Sequence, residues 1–373
     1  MSLHSISNTI HQALTAAGLD PQRGALKGVT QTIRKALADA GLVQGEAPAR
    51  ARKRDTDDAV DAVDVIDVNA REVPASPERA ARASPQAAPA IGSFVSRQYT
   101  GPGGSRAYKL YTPATDAARK PMPLIVMLHG CKQNPDDFAA GTGMNALAEQ
   151  HGFLVAYPEQ TARANGANCW NWFNAADQTR DGAEPSIIAG IVREIAAVEA
   201  VDKQRVFVAG LSAGAAMAVI LGVTHADVFA AIGAHSGLPH GAAHDVASAF
   251  AAMHGSARKV GSALTVPTIV FHGDQDRTVV ASNGDAIVAQ AVAGQREVLH
   301  KKTLNGRTTT DTRAGAREHE RTVWVDDADR SRIEQWALHG GTHAWSGGSP
   351  AGSYTDVQGP DASAEMVRFF LAQ

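Results

Sequence analysis

The chain has few cysteines, a net charge near zero and no long apolar run. Two cysteines in 373 residues are too few to indicate a disulfide scaffold or a structural zinc site. A formal net charge of −3 argues against a nucleic-acid partner. Apolar runs stay shorter than the roughly 18 residues that a membrane-spanning helix needs, so no span is expected. With 44% hydrophobic residues, the chain has enough apolar side chains for a sizeable globular core.

The first 91 residues differ in character from the rest. Met1-Ser-Leu-His-Ser-Ile lacks the basic start and apolar core of a secretory signal, which leaves a cytoplasmic location open. Residues 1–45 contain two similar segments with apolar residues at helical spacing, and they predict a helical extension. We expect it to pack on the main domain or to remain unattached, and the alternative is a pair of helices that docks on a partner. Residues 46–91 are rich in Ala, Pro and charge and have no aromatic residue. They predict a disordered linker, because they cannot bury enough apolar surface to offset the entropy of ordering.

From residue 92 onward, short apolar runs alternate with helical patterns. The runs at 123–128, 206–209 and 268–271 are almost entirely apolar, which is typical of strands buried on both faces. Helical patterns lie between them, for example at 282–293. The alternation predicts one α/β domain over residues 92–373, with a mostly parallel sheet covered by helices on both faces. Ligands bind at the carboxyl ends of the strands in such sheets.

A Gly-x-Ser-x-Gly motif follows the apolar run at 206–209. Ser212 lies between Gly210 and Gly214, and a small-residue helical pattern begins at Ala213. A strand that turns sharply into a helix exposes its serine, and side chains at the two glycine positions would collide with neighbouring backbone. The motif in this context predicts that Ser212 is a nucleophile, since a serine reacts only when it is held against a base.

Partners for this serine are expected after two later strands. In folds with this turn, the acid and then the histidine follow the serine in chain order. The segment after the strand at 268–271 carries Asp274 and Asp276, and the segment after 332–338 carries His343. We predict that Asp276 is the acid and His343 the base. Asp274 remains the rival acid, although an aspartate in the first turn after a strand often binds local backbone N–H groups.

An oxyanion hole is expected where the strand at 123–128 ends. The turn Leu128-His-Gly-Cys-Lys-Gln133 contains a glycine, and the N–H groups of Cys131 and Ala213 are the predicted donors. His129 is expected to brace this turn. Cys131 and Cys169 are either free or joined in a disulfide that ties the turn to the loop around residue 170.

Tryptophans cluster near these segments. Trp170 and Trp172 lie in a long polar loop, and Trp345 follows His343 by two residues. Each is a candidate wall of a substrate site, and the alternative is that they pack against the edge of the sheet.

Several further motifs occur in the same order as in a known family. From about residue 91 to the end, the chain resembles the polyhydroxybutyrate (PHB) depolymerase family of esterases, in the branch with short-chain-length polyhydroxyalkanoate depolymerase catalytic domains. The matching motifs are Leu128-His-Gly-Cys-Lys-Gln133, Phe153-Leu-Val-Ala-Tyr-Pro158, Cys169-Trp-Asn-Trp172, Gly210-Leu-Ser-Ala-Gly214, His235-Ser-Gly-Leu-Pro239, His272-Gly-Asp-Gln-Asp276 and Gly341-Thr-His-Ala-Trp-Ser-Gly-Gly348.

The resemblance implies an α/β-hydrolase fold and a serine esterase. It implies Ser212 as nucleophile, Asp276 and His343 as its partners, and the Cys131 N–H in the oxyanion hole. The implied substrate is a 3-hydroxyalkanoate polyester, its oligomers or a related short-chain ester, and no metal or organic cofactor is needed. Secreted members carry a signal peptide and a polymer-binding domain, and neither is recognisable here. The resemblance points outside the cell, and oligomers, amorphous polymer or soluble esters are the expected substrates.

Two other functions remain open from the sequence. One is a feruloyl or acetyl-xylan esterase on the same scaffold. The other is a hydrolase fold that serves as a binding module and has no catalytic activity. The presence of Ser212, Asp276 and His343 in the expected chain order argues against it. The sequence identifies no protein partner.

Overall fold

The computed structural model describes residues 92–114, 120–256, 262–299, 304–311 and 316–373. The predicted helical extension (1–45) and linker (46–91) lie outside the described residues. The described part forms a ten-stranded sheet with the order β1-β2-β4-β3-β5-β6-β7-β10-β9-β8. Its strands are β1 (Ser93–Gly101), β2 (Gly104–Thr112), β3 (Met122–Leu128), β4 (Leu154–Pro158), β5 (Val201–Leu211), β6 (Ala231–His235), β7 (Thr268–Gly273), β8 (Asn305–Asp311), β9 (His319–Val325) and β10 (Ser331–Leu338).

The six central strands, β4, β3, β5, β6, β7 and β10, run parallel. Antiparallel strands β1 and β2 extend one edge, and β9 and β8 extend the other. The register pairs Leu128 with Gly210, Leu211 with His235, and Gly273 with Leu338. The carboxyl ends of these strands therefore lie at one level on the same edge of the sheet. A small two-stranded sheet, β11 (Trp345–Ser346) and β12 (Thr355–Asp356), follows β10.

Seven α-helices of the described residues cover the sheet. They are α1 (Pro135–Thr142), α2 (Met144–His151), α3 (Ala183–Val198), α4 (Ala213–Thr224), α5 (Val246–Met253), α6 (Ser282–Val298) and α7 (Ala362–Leu371). Side chains of α3, α4, α5 and α6 share one apolar core with one face of the sheet, and those of α1, α2 and α7 share a second core with the other face. In β3, Leu124 and Val126 enter the first core while Ile125 and Met127 enter the second. Burial on both faces explains why this strand is apolar throughout.

The predicted mostly parallel sheet with helices on both faces is confirmed. The sequence patterns did not indicate β1, α1 or the β8–β9 hairpin. Residues of β8 are exposed along almost the whole strand, so no apolar alternation distinguishes this edge strand from a loop. Among the described residues, no helix is both long and apolar enough to cross a bilayer.

Candidate active site

Ser212 lies at the turn between β5 and α4 in a strained backbone conformation. Its φ of 57° and ψ of −118° place a non-glycine residue in a region that L-residues rarely occupy. The flanking glycines permit this turn. A Cβ atom on Gly210 would lie 2.5 Å from the Gly214 carbonyl carbon, and one on Gly214 would lie 2.7 Å from the His129 carbonyl oxygen. Only glycine fits these two positions, as the motif predicts.

Asp276 and His343 form the predicted pair. Asp276 Oδ2 lies 2.7 Å from His343 Nδ1, and the Asp276 side chain has no exposed surface. Its other oxygen, Oδ1, accepts hydrogen bonds of 2.9 Å from the N–H groups of Thr278 and Val279. A carboxylate held on both oxygens has one orientation, so it fixes the tautomer and direction of the His343 ring.

Burial alone would raise the pKa of Asp276, because a buried carboxylate loses its hydration. The hydrogen bond and charge of His343, the Val279 N–H and the nearby His272 outweigh burial and lower the pKa below its ordinary value. Asp276 is therefore ionised at neutral pH and can stabilise a positively charged His343 ring.

Asp274 occupies a different environment from Asp276. Its side chain is 43% exposed and lies 3.2 Å from His339. Its Oδ1 accepts a hydrogen bond of 2.7 Å from the Gly340 N–H. This is the backbone-binding position expected of the rival acid, and it leaves Asp274 paired with His339 instead of His343.

Ser212, Asp276 and His343 all follow strand ends on one edge of the sheet. The segment before His343 is hydrogen-bonded to the segment before Asp276, since the Gln275 N–H donates to the Gly341 carbonyl at 2.9 Å. Within the described residues, the Ser212 hydroxyl makes no hydrogen bond. Contacts between a nucleophile and its base are often longer in enzymes without substrate.

The turn of residues 129–133, which is predicted to supply an oxyanion donor and is called the oxyanion turn below, lies beside the Ser212 turn. A Cβ atom on Gly130 would lie 3.5 Å from the Leu211 carbonyl oxygen. Within the described part of the chain, the N–H groups of Cys131 and Ala213 donate no hydrogen bond, so both are available to a ligand oxygen. Lys132 has a positive φ of 65°, and its N–H donates to the Ala167 carbonyl at 2.7 Å. Two free backbone donors at neighbouring strand ends are the arrangement that an oxyanion needs.

His129 braces this turn, as expected. Its Nδ1 lies 2.7 Å from the Gly130 carbonyl, and its Nε2 accepts a hydrogen bond of 3.1 Å from the Gln160 N–H. Burial lowers the pKa of His129, so the ring stays neutral and keeps one donor and one acceptor.

Sequence reasoning missed Gln133 as a structural part of the turn. Its Oε1 accepts from the Gly130 N–H at 2.9 Å, and its Nε2 donates to Asp137 at 2.8 Å and to the Ser353 carbonyl at 3.1 Å. The sequence feature that could have indicated this role is an amide side chain, Gln133, three positions after the glycine of the turn, Gly130.

A sequence profile of the family described as Esterase PHB depolymerase matches residues 106–321, more than half of the 373-residue chain. The chain belongs to this family of esterases. The resemblance noted from the motifs is thereby confirmed.

Two proteins similar to this PHB depolymerase-family chain are named as a depolymerase and an esterase. Poly(3-hydroxyalkanoate) depolymerase C of Paucimonas lemoignei is 35% identical over 210 residues, covering 52% of this chain and 50% of that protein. Acetylxylan esterase A of Aspergillus oryzae is 35% identical over 133 residues, covering 35% of this chain and 42% of that protein. The chain thus spans half or less of the length of these relatives.

The fold has a solved counterpart. The acetyl xylan esterase from Aspergillus awamori matches 75% of this chain and 100% of its own, with a TM-score of 0.57 and 20% identity. At this identity the likeness concerns the fold alone, and it confirms the α/β-hydrolase fold.

The two cysteines of this chain are joined to each other. Cys131 and Cys169 form a disulfide, which ties the oxyanion turn to the loop that carries Trp170. The same loop is anchored by buried Glu184, which accepts a 2.7 Å hydrogen bond from the Asn171 N–H and binds the Gln160 side chain. The hypothesis of a bridge between these cysteines thus agrees with the structure.

The tryptophans lie deeper than the sequence suggested. Trp170 is 0% exposed and donates from Nε1 to the His129 carbonyl at 3.1 Å. Trp345 is 1% exposed and donates to Ser363 at 3.0 Å. In this structure neither side chain therefore has surface left for contact with a substrate. Trp172 is 7% exposed, and its predicted role in the substrate wall stays a prediction.

Removing the disulfide should lower the stability of this protein. The bridge closes a sequence separation of 38 residues, and the chain-entropy relation gives about 3–4 kcal/mol for such a loop. We expect Cys131→Ala combined with Cys169→Ala to lower the free energy of unfolding by that amount in urea titrations. Two titratable thiols in unfolded, unreduced wild-type protein would contradict the bridge itself.

Acid should destabilise this protein because buried histidines stay neutral in the fold. Burial lowers the pKa of His235 to about 3 and that of His225 to about 4. In the unfolded chain these groups take up protons as the pH falls below about 6.5, while the folded chain does not. Stability is therefore full above that pH and declines as the pH falls toward the folded values.

The expected slope is about 1.4 kcal/mol per pH unit for each such histidine. Urea unfolding followed by tryptophan fluorescence at about pH 7.5, 6 and 5 measures this slope. His225→Gln, which lies outside the candidate site, should reduce the slope by one histidine's contribution. An unfolding free energy that is constant over this range would disprove the linkage.

Proposed function

We propose that the chain is a serine carboxylesterase in which Ser212 is the nucleophile, His343 the general base and Asp276 the residue that orients His343. The observation that carries this proposal is the 2.7 Å Asp276–His343 hydrogen bond on the sheet edge that also carries the strained Ser212 turn. Membership of an esterase family supports the same chemistry.

The reaction proceeds through an acyl-enzyme. Ser212 Oγ attacks the ester carbonyl carbon while His343 Nε2 takes the hydroxyl proton. His343 then returns this proton to the leaving alcohol as the C–O bond breaks. Water, deprotonated by His343, attacks the acyl carbon, and His343 returns this proton to Ser212 Oγ as the bond between Oγ and the acyl carbon breaks and the acid is released. Asp276 holds the ring in the required tautomer and stabilises its charged form.

The Cys131 and Ala213 N–H groups bind the oxyanion of both tetrahedral intermediates. Neither donor must break an existing hydrogen bond, because neither has a partner among the described residues. Such preorganised donors contribute about 10²–10³ in rate each in serine hydrolases. The bracing by His129, Gln133 and the disulfide keeps the Cys131 donor in place.

The proposed substrate is a 3-hydroxyalkanoate polyester of the polyhydroxybutyrate type, or its oligomers. The family match and the 35% identical depolymerase support it. The second candidate is an acetyl-xylan, feruloyl or other short-chain carboxylesterase. The acetylxylan esterase favours it, since its sequence identity to this chain is also 35%, although over 133 residues.

A substrate panel separates these possibilities. Purified full-length protein is incubated with amorphous polyhydroxybutyrate granules, hydroxybutyrate oligomers, acetylated xylan and methyl ferulate, and the released acid is measured. Protein pretreated with a fluorophosphonate is the blank. Release from granules or oligomers is the expected result, and release only from acetylated xylan or ferulate would move the substrate class to plant cell-wall esters. No hydrolysis and no fluorophosphonate labelling would favour the non-catalytic binding module.

The proposed location is outside the cytoplasm, in an oxidising compartment. The Cys131–Cys169 disulfide supports it, because structural disulfides are rare in reducing compartments. Fractionation of the producing cells checks this, and activity found only in the cytoplasm would favour the alternative location.

A further inference from the structure

His235 is a fully buried histidine that takes no part in the mechanism given above. It is the last residue of β6 and has 0% exposure. Strand β6 lies between β5, which leads into Ser212, and β7, which leads into Asp276. His235 therefore ends the strand that lies between the strands leading into Ser212 and Asp276.

The main chain of His235 contacts the nucleophile. Its carbonyl accepts a hydrogen bond of 2.9 Å from the Ser212 N–H. This bond holds Ser212, the residue with the positive φ of 57°. It continues the β5–β6 register, which pairs Leu211 with His235.

The side chain of His235 contacts the loop that carries the base. Its Nε2 accepts a hydrogen bond of 3.0 Å from the N–H of Ser346, three residues after His343. Ser346 is itself buried, so within this structure the imidazole satisfies a backbone donor that has no access to water. Because Nε2 accepts, the ring proton is on Nδ1, which lies 3.2 Å from Ser236 Oγ.

The ring also stacks against two aromatic side chains. Its centroid lies 5.8 Å from that of Phe271 with an interplanar angle of 10°, and 5.3 Å from that of Trp345 with an angle of 26°. Phe271 belongs to β7 and Trp345 to the loop after His343. Burial, together with the charges of His272 and His343, lowers the pKa of His235 to about 3, so the ring remains an uncharged acceptor over the pH range in which esterases act.

We propose that His235 is a positioning residue that holds the His343 loop in register with the Ser212 turn. One residue bonds both parts, through its carbonyl to Ser212 and through Nε2 to Ser346. Without the acceptor, the Ser346 N–H would be buried and unpaired, and the loop would shift to find a partner. A displacement of about 1 Å between reacting groups costs on the order of 10² in rate. The inference rests on the proposed function, since it assigns His235 a part in the chemistry of Ser212 and His343.

Two substitutions separate the acceptor from the stacked ring. His235→Phe keeps a ring that can stack on Phe271 and Trp345 but removes the acceptor. His235→Gln removes the ring but can place an amide oxygen near the Nε2 position. His225→Gln is the matched control, because His225 is also a buried histidine but lies at the far end of the 12-residue helix α4.

The kinetic measurement uses a soluble ester such as p-nitrophenyl butyrate, at a temperature at which circular dichroism shows all variants folded. We expect His235→Phe to lower kcat by about 10–100-fold while KM changes by less than about threefold. The rate of fluorophosphonate labelling of Ser212 should fall in parallel. His235→Gln should recover kcat to within about fivefold of wild type, and His225→Gln should keep the wild-type kcat.

Other outcomes overturn the inference in distinguishable ways. A folded His235→Phe variant with wild-type kcat and labelling rate would show that His235 only stabilises the fold. If His235→Phe does not fold, His235→Gln is compared with His235→Asn, whose amide is too short to reach Ser346, and equal kcat values would refute the role. A wild-type protein that hydrolyses no ester and binds no fluorophosphonate would instead refute the proposed function, and this inference with it.

Discussion

Ser212→Ala should abolish ester hydrolysis by this protein. Removing the serine nucleophile from a serine hydrolase lowers kcat by about 10⁴–10⁶, and alanine leaves the oxyanion donors and the Asp276–His343 pair in place. Alanine also lacks the hydroxyl while keeping the Cβ, so the turn needs no new backbone conformation. The readout is soluble 3-hydroxybutyrate released from amorphous granules, or the product of whichever ester the wild-type protein hydrolyses fastest.

Ser186→Ala is the matched control for this substitution. Ser186 lies in α3, where its hydroxyl donates to the Arg180 carbonyl, so its loss should leave the rate unchanged. Hydrolysis that survives in Ser212→Ala at more than about 1% of the wild-type rate would mean that another residue is the nucleophile.

Asp276→Asn is expected to lower kcat by about 10⁴ with little effect on KM. An asparagine that keeps the Thr278 and Val279 contacts through its oxygen must turn its NH₂ group toward His343 Nδ1. The ring then has to accept at Nδ1 and carry its proton on Nε2, where it can no longer take the proton of Ser212. The loss also removes the negative charge that stabilises the protonated ring. Steady-state kinetics on the same ester measures both effects.

Asp274→Asn tests the rival acid with the same chemical change. Asp274 is 43% exposed and contacts His339 and the Gly340 N–H, and an asparagine oxygen can keep the backbone contact. We expect kcat within about threefold of wild type. A larger loss in Asp274→Asn than in Asp276→Asn would reverse the assignment and would mean that His343 changes partner when substrate is bound.

The two aspartates also show how far local sequence rules extend. Both lie in one short segment after β7, and turn chemistry alone favoured Asp276. The hydrogen bond that supports this choice joins residues 67 positions apart, so it depends on how the β7 and β10 ends are aligned. That alignment follows from the parallel register, which pairs Gly273 with Leu338.

The tryptophans are a case that sequence position left open between a substrate wall and packing on the sheet. A tryptophan in a polar loop is rare, and proximity to the catalytic motifs suggested contact with substrate. In the fold, Trp170 donates its N–H to the carbonyl of His129 and Trp345 stacks on His235. Whether a large ring in a loop is buried depends on which other segments pack against it. Those segments are distant in the chain, so a local sequence pattern does not identify them.

By itself, the sequence determined the features that depend on neighbouring residues. Apolar runs defined the central strands, and the small residues of Gly-x-Ser-x-Gly defined the turn at Ser212, because steric limits on the backbone act over a few residues. Chain order and motifs predicted Asp276 and His343 as partners and left the Cys131–Cys169 bridge open, and the tertiary structure decided that both pairs meet. It alone decided that His235 contacts both Ser212 and Ser346. These contacts depend on the order and register of parallel strands, which are set by packing and hydrogen bonding across the whole sheet.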